Sequence, residues 1–141
     1  MFAGEDVNGI FITMHVADEQ VLFLLLTADG TVNRMGTGSE DNTEKQLFID
    51  QRSSEMFEAL KSRIQPETTE WEGGYADPEP QGKTCCLTVG FMNGDGEESV
   101  CKFQYGSESQ GPPPDLCQLV ISAIEITEPW YQEQKQLTSE G

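Results

Sequence analysis

The sequence predicts an α+β domain: a single, mostly antiparallel sheet of about five to six strands packed by two helices, in the order β-β-β-(β)-α-β-β-α. Apolar residues alternate at a period of two near the start of the chain and again over 84–106. An Asp-Gly pair interrupts each of those stretches, and segments 53–65 and 114–128 instead repeat their apolar residues at helix spacing. At 141 residues the chain has the size of one ordinary domain, 1–141, and its seven Phe, two Trp and three Tyr suffice for a packed core.

The first strand is "GIFITMHV", with Ile10, Ile12, Met14 and Val16 on one face and Phe11, Thr13 and His15 on the other. After the polar "ADEQ", the run "VLFLLLTADGTVNRMG" reads as strands 21–27 and 31–35 joined at Asp29-Gly30, the strongest short-range hairpin signal. With 9–16 they make an antiparallel meander. Its middle strand is apolar on both faces, Leu22, Leu24 and Leu26 on one and Val21, Phe23 and Leu25 on the other, as in a strand covered from both sides. A polar loop over 36–44 precedes "QLFID", the optional fourth strand. In the first helix Ser53 or Ser54 supplies the cap, Met56, Phe57, Leu60 and Ile64 the apolar face, and Pro66 the stop.

Residues 65–82, "QPETTEWEGGYADPEPQG", read as a long acidic loop carrying Glu67, Glu70, Trp71, Glu72, Tyr75, Asp77 and Glu79, with Trp71 and Tyr75 able to anchor it to the body. The hairpin "TCCLTVGFMNGDGEESVCKFQYG" follows. A three-residue Gly94-Asp95-Gly96 loop sets Cys85 opposite Tyr105 and Cys101 opposite Val89, and turns Cys86 to the other face. The last helix opens with Pro114 at its first position and Asp115 in its positive end. Leu116, Cys117, Leu119, Val120, Ile121, Ala123, Ile124 and Ile126 cover about 220° of its wheel, the pattern of a central or interface helix. Pro129 is expected to end it, and 132–141 to fray.

Twenty-five acidic residues against eight basic ones leave a formal charge of -17, which disfavours a phosphate backbone as partner. No run approaches the roughly 18 apolar residues that span a bilayer. The opening "MFAGEDVNG" lacks the basic and apolar regions of a signal peptide, so a cytoplasmic protein is expected, with its four cysteines as thiols.

The cysteines occur as "CC" and two isolated residues beside one histidine, not as the knuckles of a structural zinc site. "NGDGEE" lacks the acidic first position and flanking helices of an EF-hand, and "GTGS" at 36–39 runs into "EDNTEK", whose charge repels phosphate. No catalytic residue, metal or cofactor is assigned.

The expected function is a non-enzymatic protein-binding or inhibitor module that sets a carboxylate-rich surface against a basic partner. One alternative is a small-molecule binder or pocket enzyme on the second sheet face, lined by Phe11, Phe23, Leu25, Cys86 and Met92 with His15 at the rim. Another is a homodimer that buries the same surface. Neither a nucleic acid nor a membrane is expected as partner.

Overall fold

The computed structural model describes residues 7–38, 44, 46–52, 54–64, 73–76, 78–79, 81–108 and 112–140, the last three of these by backbone alone. The elements in chain order are β1 (Val7–Val16), β2 (Glu19–Thr27), β3 (Thr31–Met35), β4 (Phe48–Gln51), α1 (Glu55–Lys61), β5 (Gly73–Ala76), β6 (Thr84–Asn93), β7 (Glu98–Gly106) and α2 (Pro114–Glu140). All strands join one seven-stranded sheet in the order β4-β3-β2-β1-β6-β7-β5. Every pair is antiparallel except β5 with β7. The fold is α+β, with one strand more than the upper count the sequence suggested.

That extra strand is β5, inside the segment read as a loop. Four exposed residues, two of them glycine, carry no strand pattern of their own. The ladder to β7 and the stacking of Tyr75 on Phe103, ring centroids 4.9 Å apart, hold the segment instead. Of the acidic-loop residues, Tyr75 lies in β5 and the exposed Glu79 follows it, whereas Glu67, Glu70, Trp71, Glu72 and Asp77 lie outside the described residues, as does Ser53.

The β2–β3 and β6–β7 turns share one construction. Gly30 N–H donates to Thr27 O and Gly96 N–H to Asn93 O, and each glycine then takes positive φ, 94° and 84°. This is a type I turn followed by a left-handed residue, which explains an Asp-Gly at both places. The β1–β2 turn is different. It has two residues, Ala17 (φ 51°) and Asp18 (φ 70°), both left-handed without being glycine.

Alternation puts Ile10, Ile12, Leu22, Leu24, Leu26, Val32, Leu87, Val89, Phe91 and Cys101 on one face of the sheet. Both helices pack there, α1 through Phe57 and Leu60 and α2 through Leu116, Leu119, Val120, Ala123, Trp130 and Tyr131. Ser54 stands at the N-cap of α1 but its hydroxyl makes no capping bond. Ile121 is 46% exposed, so the broad apolar arc of α2 is only partly buried.

Pro129 does not end α2, and the tail expected to fray is helical to Glu140. A helix-interior proline removes one hydrogen bond and crowds the preceding turn. Here Pro129 and Glu125 sit on the solvent side, where water can serve the carbonyl left without its donor. The next two residues fasten the continuing helix to the sheet. Trp130 Nε1–H donates to Asp50 Oδ2 at 3.2 Å, and the Tyr131 hydroxyl accepts from Gly36 N–H at 3.1 Å.

Candidate functional site

Because both helices lie on one face, the other face of the sheet is open among the described residues. Register places its residues in rows across the strands. One row runs Ile49, Asn33, Leu25, Phe11, Gly90, Val100; the next runs Met35, Phe23, Thr13, Thr88, Lys102. A third joins Gln20, His15, Cys86 and Gln104, and a fourth, at the far end, joins Thr27, Gly9, Met92 and Glu98. All six residues singled out in the sequence, Phe11, His15, Phe23, Leu25, Cys86 and Met92, lie here and all are half-buried. Leu47, just before β4, is 45% exposed and Ile49 is 66% exposed.

Two glycines shape this face. A Cβ on Gly90 would stand 2.0 Å from the Phe11 ring, and one on Gly9 would stand 2.5 Å from Met92 Cε. Both large side chains therefore lie flat over bare backbone, which broadens the apolar surface without a projecting ridge. Two shallow hollows interrupt it. Gln20, Phe23, Met35 and Leu47 line one of about 260 Å³. Asn8, Gly9, Thr27, Ala28, Asp29, Met92, Asn93, Gly96 and Glu98 line a wider groove of about 600 Å³ at the turn end. Phe23 and Met92 thus line separate hollows.

Lys102 and Glu98 are the only side chains with a formal charge in the four rows, on a chain of net charge -17. Acidic residues instead occupy the turns at both ends of the face: Asp18, beside Glu19, at one, and Asp29, Asp95 and Glu97 at the other. Hydrogen bonds from the Thr27 hydroxyl first, then from Thr31, hold the Asp29 carboxyl below the usual carboxylate range.

The cysteines do not form a reactive cluster. Cys101 Sγ donates to Val89 O at 3.5 Å, and burial pushes its thiol up to about 11. Burial also raises Cys117, whose Sγ donates to Pro112 O at 3.4 Å. Thiols held in the protonated form are poor nucleophiles and poor metal ligands. Among the described residues no three His, Cys, Asp or Glu side chains gather as a metal site. Nor is any described helix long and apolar enough to cross a membrane.

On the covered face the structure adds a group that sequence reading passed over. Arg34 shares the core side of β3 with Val32 and is 1% exposed. Its guanidinium donates to Gly36 O (3.2 Å), Ile124 O (3.1 Å) and Thr127 Oγ1 (3.1 Å), pairs with Glu128 at 2.8 Å, and lies 4.1 Å from the Tyr131 ring centre. The signal was present in the parity of "TVNRM", which sets Arg34 among inward residues. This cluster fastens α2 to β3, about 90 residues earlier in the chain.

Compared with protein-family models and with curated proteins, the chain matches none.

Proposed function

We propose that this chain is a non-enzymatic protein-binding module that docks through the open face of its sheet. The observation that carries the reading is the distribution of charge. A chain of net charge -17 keeps Phe11, Phe23, Leu25, Met35, Ile49 and Val100 together on one broad face whose rows hold a single lysine and a single glutamate. Contact surfaces differ from ordinary surface in this way, with charge depleted from the centre and aromatic and methionine side chains enriched. The size also suits the role. The long strands β1, β2, β6 and β7, each about 30 Å, together with the shorter β3 and β4, present roughly 700 Å² at about 4.8 Å spacing, close to the roughly 800 Å² each partner contributes to a standard interface. The other face is covered by α1 and α2.

A photo-crosslinking residue placed in living cells at Thr88, on the open face, and at Glu58, on the solvent side of α1, tests this. Thr88 should capture one defined protein that Glu58 does not, and Leu25→Ser should abolish the capture. Equal capture from both positions, or capture unaffected by Leu25→Ser, would refute the reading.

A further inference from the structure

Resting on that docking face, we infer that its occupant is a basic protein, which places one apolar anchor in the Phe23–Met35–Leu47 hollow and lysines or arginines over the acidic turns, and is not a second copy of this chain. The hollow of about 260 Å³ is of a size for one large side chain, and buried anchors in such depressions dominate interface energetics. Phe23 stands five to six residues along β2 from Asp18 on one side and Asp29 on the other. At about 3.3 Å per residue, the carboxylates lie roughly 15–20 Å to either side of the anchor. The occupant therefore carries its positive charges at both flanks of an apolar centre.

A second copy would bring the same two acidic ends with it. A two-fold pairing of this face with the strands of the two copies aligned sets Asp18, Asp29, Asp95 and Glu97 of each copy over the rim of the other, and like charges juxtaposed at an interface work against association. Each rim also lies beyond the Debye length of about 8 Å at physiological salt from the anchor, so the carboxylates act on encounter and the hollow on residence. The two contributions separate kinetically.

The probe is a synthetic 20-residue amphipathic helix of leucine and lysine with one tryptophan centred on its apolar face, with a leucine and glutamate counterpart as control. Stopped-flow tryptophan fluorescence follows binding to the whole chain, and NMR shifts locate it. Wild type should bind the lysine peptide with shifts at Phe23, Met35 and Leu47, and ignore the glutamate peptide. Leu47→Ser, a change at an exposed side chain that leaves the core intact, should speed dissociation about tenfold, and Phe23→Ser at least as much. Neutralising Asp29, Asp95 and Glu97 to Asn, Asn and Gln should slow association severalfold and leave dissociation unchanged. Lysine-peptide binding with shifts on α1 or α2, or binding indifferent to both hollow variants, would overturn the inference. Light scattering at twice 15.6 kDa, restored to monomer by Phe23→Ser, would also overturn it while leaving the face a docking surface.

Discussion

Replacing Arg34 with methionine isolates what holds α2 on the sheet. Methionine fills most of the same space but donates nothing, so Gly36 O, Ile124 O and Thr127 Oγ1 lose a charged donor and Tyr131 loses one of its two cations, keeping Lys135. Removing one partner of a buried ion pair costs about 3–5 kcal/mol when the other charge is stranded. Glu128 is 39% exposed and can turn to water, so the cost sits at the lower end. Apolar burial of the methionine gives back part of the loss, about 1 kcal/mol. The expected cost is therefore about 2–3 kcal/mol, read as a lower urea midpoint at unchanged slope and a melting temperature lower by about 5–10 °C. Acid titration adds a second readout. Burial works to raise the Glu128 carboxyl, but the Gln132 amide and the Arg34 charge outweigh it, so the folded group sits below its ordinary value. A lowered folded value means stability that is fully present above the unfolded carboxyl range and lost as pH falls through the folded one. Arg34→Met should flatten that acid limb. A cost under about 1 kcal/mol with the acid limb unchanged would show that α2 is held by its apolar face alone.

Ala17→Gly should stabilise the chain by roughly 0.5 kcal/mol in chemical denaturation, because relief of a left-handed alanine outweighs the extra unfolded-state freedom of glycine. Destabilisation would show that the Ala17 methyl makes contacts worth more than its strain. Pro129→Ala should raise stability by about 1–2 kcal/mol, part of the interior-proline penalty, with helical circular dichroism preserved through the tail. With a disulfide reagent near neutral pH, Cys86 on the open face should label first, and Cys101, buried and pushed up to about 11, only as the chain unfolds. Rapid labelling of Cys101 in the native state would contradict its place in the core.

The strands of the face that the helices leave uncovered were legible because each pairs a period of two with a turn of known chemistry. Asp29-Gly30 and Gly94-Asp95-Gly96 declare their left-handed glycines, and from them the pairing of Cys85 with Tyr105 and of Cys101 with Val89 follows. Phe23 and Leu25 on the second face of β2 were equally plain, but Val21, read with them, was not: a bulge opposite Met14 and His15 turns it to the covered side, where it packs with Val16 and Cys85. Ala17-Asp18 was not, because alanine disfavours the positive φ that Asp18 tolerates. β5 was illegible for a different reason. Gly73 and Gly74 have no strand preference, and their order comes from β7, which arrives later in the chain. Pro129 misled because a local rule was read without the anchors, Trp130 and Tyr131, that override it.

The Arg34 cluster also sets an order of events in biosynthesis. The guanidinium leaves the ribosome 90 residues ahead of Ile124 and 93 ahead of Thr127. Until α2 emerges, Arg34 lacks Ile124, Thr127, Glu128 and Tyr131, α1 is the one helix that can cover the inner face of the first strands, and the closing contacts are among the most distant in the chain. Such an intermediate exposes its inner face as well as its outer one, which is the condition under which nascent sheets associate wrongly. Completion of this fold thus waits for α2, and a chain cut before α2 should accumulate as aggregate, not as a smaller domain.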